Sequence, residues 1–249
     1  MIKLRKSQER GHAHHGWLDS HHTFSFGHYH DPRFMGYSVL RVINEDVIAP
    51  GRGFGMHPHN DMEIITYMLD GELRHQDSLG NGAVIRRGDV QRMTAGSGIV
   101  HSEYNASSEH PAHLLQIWIV PDEDNLHPSY EDKRFDDDRK HGRWCLIASN
   151  DGRGDSLRVH QDIALYAAVL DQGQSLSYDM SPERTLYLQV ARGDVCLTGL
   201  GQAEQRLTAG DAAMVGLEQV IRVEALKSAE VLVFDLPVNL PPAEQSNTH

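Results

Sequence analysis

The sequence predicts an all-β protein built from two antiparallel β-sandwich or barrel domains, and three observations carry that expectation. Residues 36–121 consist of short apolar or β-branched runs separated by Gly- and Asp-containing turns, the pattern of antiparallel sheets rather than of helices. The same pattern resumes from about residue 144. Segments of the two halves also correspond in order: DVIAPGRGFG, TYMLDGELRHQ and VIRRGDVQRMTAG have counterparts in AVLDQGQSL, LYLQVARGDVCLTG and RLTAGDAAMVG. A repeat of roughly 120–130 residues is too long for a solenoid unit and suits two copies of one β domain.

In chain order, SVLRVINEDVIA is the first long strand candidate, ended by the turn PGRGFG. MEIITYML and DGELRH follow, SLGNG reverses the chain, and AVIRRGDV, TAGSG and LLQIWIVP complete the first set. Between 122 and 140 the segment DEDNLHPSYEDKRFDDDRK has eight acids, four bases and few apolar residues. It reads as an exposed linker holding one helical turn rather than a core element. LYAAVLDQG, TLYLQVARGDVCLTG, AEQRLTAGDAAMVG and VLVFDLP form the second set. The expected division is therefore a first domain over 1–128, a charged linker over 129–143 and a second domain over 144–238. The tail 239–249, within PVNLPPAEQSNTH, has little to bury and is expected to be disordered.

Composition sets the outer limits. With 249 residues, 39% of them hydrophobic, and a mean hydropathy of -0.47, the chain can bury a core but contains no apolar run long enough to span a bilayer. A net charge of -12 argues against direct binding to nucleic acid or to an anionic membrane. The first thirty residues are polar and His-rich without an apolar segment, so no targeting signal is visible and the cytoplasm is the default compartment. Cys145 and Cys196 have no CxxC spacing, which fits a reduced compartment and predicts two core residues.

The unusual component is histidine, with 17 copies, 13 of them in the first 113 residues. Histidine is the commonest metal ligand, so metal chemistry is the first hypothesis. His-x-His occurs at His12/His14, His28/His30 and His57/His59, and the third opens a strand candidate. Residues two apart on a strand point to one face, so His57 and His59 project together while Pro58 points away. His101-x-Glu103 in GSGIVHSEYN has the same spacing. Two such strands facing each other across a barrel would offer three imidazoles and a carboxylate to a divalent ion, with coordination positions left open. His75-x-Asp77 is an internal competitor, but it runs into the turn SLGNG and is read as a supporting pair. The N-terminal histidines have no apolar alternation to orient them and read as loop or surface groups.

The stretch GRGFGMHPHNDMEIITYMLDG approximates the first cupin motif, and GSGIVHSEYN the second. More specifically, TFSFGHYHDPRFMGYSVLRVINEDVIAPGRGFGMHPHNDMEIITYMLDGELRHQDSLGNG followed by GDVQRMTAGSGIVHSE resembles the pirin branch of the cupin superfamily, in particular its bacterial pirin-like quercetin 2,3-dioxygenases. The resemblance is strong over residues 1–121. It implies a bicupin of two jelly-roll domains, with His57, His59, His101 and Glu103 as ligands of one divalent transition-metal ion per chain, iron first among Fe, Zn, Cu, Mn, Co and Ni. The general cupin carboxylate position is Glu63, whereas in pirins the ligand resembles Glu103, which leaves Glu63 a supporting role. Thr94 stands where general cupins have Pro, as in the pirin variant. The second half, with QSLSYDMSPE and no His pair, resembles a cupin that has lost its metal site.

The activity implied is a metal-dependent ring-cleaving dioxygenase that opens the heterocycle of flavonols such as quercetin with O2 and releases carbon monoxide. Glu103 is then also the catalytic base that takes the flavonol proton. The alternative is a non-catalytic, metal- or redox-sensing regulator of the pirin type that binds a partner protein.

Overall fold

The computed structural model describes residues 1–216 and 218–238. The tail expected to be disordered, 239–249, lies outside the described residues. Two antiparallel β-sandwiches form the molecule, as the sequence predicts. Each pairs a seven-stranded sheet with a four-stranded one. In the first sandwich the large sheet is centred on Glu63–Asp70, Ala112–Ile119 and Leu40–Ile48, and the small sheet contains Gly53–His59, Ile99–Asn105, Glu72–Asp77 and Gly82–Arg86. In the second, Arg184–Arg192, Ala229–Pro237 and Ala164–Leu170 are the central strands of the large sheet. No helix among the described residues is long and apolar enough to cross a membrane.

The two large sheets pack face to face, which explains why their strands read as continuous apolar runs rather than as alternating ones. Along EIITYML, Ile65, Tyr67 and Leu69 join a cluster between the sandwiches, together with Leu115, Ile117, Tyr187, Leu232 and Phe234. Ile64 and Met68 point the other way, into the first sandwich. The interiors of the two sandwiches differ. The second is filled by one aliphatic cluster that includes Leu186, Leu188, Val195, Leu207, Ile221 and Val233. In the first, the apolar side chains split into two smaller clusters. Polar residues and a cavity occupy the space between them.

Two segments lie differently from the sequence reading. Within the stretch read as linker, Ser129–Arg134 is a strand paired with Asp89–Thr94 at the edge of the first large sheet. It is followed by the helical turn Asp137–Lys140, and Phe135 and Lys140 are buried. Its charged residues concealed it because one face of an edge strand is wet. Secondly, the N-terminal strand Ile2–Arg5 pairs with Ala212–Val215, so the first residues complete the second sandwich rather than the first. Arg5 is buried there, donating to the Thr23 carbonyl and the Tyr29 hydroxyl and stacking 3.7 Å over the Phe34 ring. Cys145 lies in the core as expected, but Cys196 is only half-buried.

Candidate metal centre

His57 and His59 lie on Gly53–His59, and His101 and Glu103 on the adjacent antiparallel strand Ile99–Asn105. Register places His101 opposite His57 and Ile99 opposite His59. It then shifts, so that Glu103 faces Phe54 rather than Gly55. This bulge changes the parity of the strand and brings Phe54 to the same face as the histidines. Gly53 is required for the close approach, since a Cβ there would meet the Glu103 carbonyl at 2.1 Å. On the other side of Ile99–Asn105, His101 is opposite Asp77 and Glu103 opposite His75.

The structure brings three of the sequence-predicted ligands together: nitrogens of His57, His59 and His101 lie within 4.8 Å of one another. Their ring centroids are 4.4–5.0 Å apart. Glu103 lies on the same face, and its carboxylate groups most closely with His101 and His75. It is held by a polar cradle from the large sheet. Gln91 donates to Oε1 at 2.6 Å and Gln116 to Oε2 at 2.8 Å, with the Thr66 hydroxyl 3.2 Å from Oε1. Burial pushes the Glu103 carboxyl up to about 7, against the pull of these three hydrogen bonds. His75, expected to be loosely aimed, is fully buried and well fixed. Its Nε2 is 3.1 Å from Asp77, and Asp77 in turn accepts from the Leu79 and Asn81 amides of the turn.

Electrostatics favour neutral imidazoles, the form that binds metal. Burial, reinforced by the neighbouring histidines, lowers His101 to about 2, and burial with the charge of His57 lowers His59 to about 4. His57 Nδ1 lies 2.7 Å from the Gly55 carbonyl. A carbonyl only accepts, so Nδ1 carries the hydrogen and Nε2 presents its lone pair. Both ring nitrogens of His101 are buried without a hydrogen-bond partner. A buried imidazole with two unpaired nitrogens is costly, and an ion held among these rings would satisfy one of them. The residues therefore fit a divalent transition metal by donor type and by this orphaned pair.

A cavity of about 720 Å³ opens onto His57, His59 and Glu103. Aromatic side chains supply much of its wall, with Trp17, Phe54, Phe26 and Trp118 among them, while Ser20, Asn44, Asp46 and Gln116 add polar groups. Trp118 meets His59 edge-on at 4.9 Å. Sequence reasoning missed this lining. Trp118 and Gln116 alternate along LLQIWIV with residues that face the other sandwich, a signal visible only once that strand is known to be buried on both faces. The N-terminal histidines are also better placed than expected, since His12, His15, His22 and His28 line the cavity. Glu63 does take a supporting place: it is buried and meets His160 of the second half at 3.2 Å. His160 is thus a contact between sandwiches rather than a plain surface group. Among the described residues, the groups of three His, Cys, Asp or Glu side chains close enough to share an ion all lie in the first sandwich.

Comparison with known proteins gives a consistent picture. Residues 3–119 match the family model described as Pirin, and residues 146–236 match that of the Quercetinase C-terminal cupin domain. The chain is 50% identical over 237 residues to a protein of Escherichia coli (strain K12) named quercetin 2,3-dioxygenase, covering 95% of this chain and 99% of that one. It is 42% identical to a pirin-like protein of Caulobacter vibrioides, covering 94% of this chain and 99% of the other. Among solved structures, the bacterial pirin YhhW of Escherichia coli in complex with nickel(II) superposes with a TM-score of 0.89 at 49% identity, covering 95% of this chain and 99% of that one.

Proposed function

This chain belongs to the pirin family, and on that premise we propose that it is a metal-dependent dioxygenase that opens the heterocycle of flavonols such as quercetin with O2 and releases carbon monoxide. The observation that carries this reading is the convergence of His57, His59 and His101 at a cavity of about 720 Å³ walled by aromatic rings. His57, His59, His101 and Glu103 would hold the ion, in line with the nickel(II) bound by the related pirin. When bound, such an ion supplies Lewis acidity toward the flavonol 3-hydroxyl.

The protein's own groups do the rest. Trp17, Phe54 and Trp118 offer flat apolar surface to a planar polycyclic substrate and exclude water from the reacting ring. Gln91, Thr66 and Gln116 fix the aim of Glu103, whose buried carboxylate accepts the 3-hydroxyl proton. The second sandwich backs the large sheet that carries this cradle and holds it rigid.

Aerobic incubation of metal-free and metal-loaded protein with quercetin, followed by the flavonol absorbance, tests the proposal. Loss of the flavonol band only with loaded protein is expected. An unchanged band with fully loaded protein would overturn it and favour the regulatory alternative.

A further inference from the structure

The edge hairpin formed by Gly11–His14 and Leu18–His22 carries a second set of ligand-type side chains that the centre above does not use. Residues opposite one another in an antiparallel pair share a face, as do residues two apart on one strand. His12 lies opposite His21, and His14 opposite Asp19. Three imidazoles and one carboxylate therefore stand as two adjacent cross-strand pairs on one face, an arrangement set by backbone register.

The side chains have already converged. The rings of His12 and His21 stack with centroids 4.4 Å apart. Asp19 lies among them, 2.8 Å from His12, 3.7 Å from His21 and 3.8 Å from His14. Ligand atoms of His12, Asp19 and His21 all fall within 4.8 Å of one another. A tetrahedral ion with bonds of ~2.1 Å spaces its ligands roughly 3.4 Å apart, so small side-chain rotations suffice to seat one. The nearby guanidinium of Arg10 is neutralised by Glu45 at 2.8 Å.

We propose that this face is a second metal site, which takes a divalent ion of the zinc, nickel or copper type through His12, Asp19 and His21 with His14 in reach. The imidazole-rich donor set selects that class over magnesium or calcium. The side chains are part-exposed, which makes the site weaker than the buried centre and open to metal from solution. Ser20 and His22, on the opposite face of the same hairpin, line the cavity, and His12 borders it as well. An ion on the outer face ties the two strands together and stiffens that wall. The site stands independently of the reaction proposed above.

Calorimetric titration of the untagged metal-free protein with zinc chloride tests this, with circular dichroism confirming that each variant is folded. Wild type is expected to bind two equivalents, one tight and one weaker. His57→Ala/His59→Ala keeps only the weaker one, His12→Ala/His21→Ala loses only that one, and Asp19→Asn weakens it without touching the tight one. A single equivalent in wild type, or a weaker equivalent that survives His12→Ala/His21→Ala, would overturn the proposal.

Discussion

Replacing Lys140 by Met probes the junction between the sandwiches. The Lys140 ammonium is 1% exposed and donates to Glu230 and to the Tyr67 hydroxyl, both at 2.9 Å. Glu230 comes from the second large sheet and also accepts from Tyr67 at 2.6 Å and Arg87 at 3.2 Å. Burial alone would raise its carboxyl, yet Lys140, Tyr67 and Arg87 hold it below the ordinary value. Removing one partner of a buried pair costs about 3–5 kcal/mol, because the other charge stays buried. Arg87 remains beside Glu230, so the lower end, about 3 kcal/mol, is expected. For a chain of this size that corresponds to roughly 6–12 °C in Tm. Guanidinium unfolding followed by tryptophan fluorescence and circular dichroism measures it. A single transition is expected, since one apolar cluster contains residues of both halves. Adding Glu230→Gln removes the stranded charge, so the double variant should lose less stability than the sum of the two single losses. A Lys140→Met protein within about 0.5 kcal/mol of wild type would refute the reasoning, for that is how an exposed lysine behaves.

Three further outcomes are expected. His101→Ala should lose the tight metal equivalent by elemental analysis while His28→Ala keeps it; full retention in His101→Ala would mean that the ligand set is wrong. Glu103→Gln removes a negative charge and turns an amide toward the Gln91 and Gln116 donors, so occupancy should fall and turnover should fall further. An activity loss no larger than the occupancy loss would make Glu103 a ligand only. Burial would raise the Glu45 carboxyl, but His113 and Arg10 hold it at about 2. A depressed folded value gives stability that is present above the unfolded value near 4.5 and lost as pH falls toward 2. At roughly 1.4 kcal/mol per pH unit this is at most about 3.5 kcal/mol. Glu45→Gln should flatten the acid limb of a stability–pH curve, and an unchanged limb would show that the pair is unimportant.

The central strands were legible because sheets buried on both faces demand runs such as EIITYML and LLQIWIV, and nothing else in the chain competes for that pattern. The two-residue period of a strand put His57 and His59 on one face and His101 and Glu103 on another strand's face, while their grouping into one ligand set came from the resemblance to pirins. In the second half, aliphatic residues such as Leu186 and Leu188 pack into the interior of the sandwich. Other features depend on partners distant in sequence. Buried Lys140 meets Glu230 across 90 residues, and Ile2–Arg5 finds its sheet more than 200 residues away. Phe54 reaches the cavity through a bulge that residue types do not announce. The hairpin of Gly11–His14 and Leu18–His22 pairs imidazoles rather than aliphatic side chains, so apolar periodicity was blind to it.

Carbon monoxide counted against quercetin consumed tests most directly the proposed flavonol cleavage at the His57, His59 and His101 centre. Metal-loaded wild type in a sealed aerobic vessel should release one carbon monoxide per quercetin, and His57→Ala/His59→Ala carried through the same loading should release none. Quercetin loss without carbon monoxide, or equal release by the variant, would contradict it.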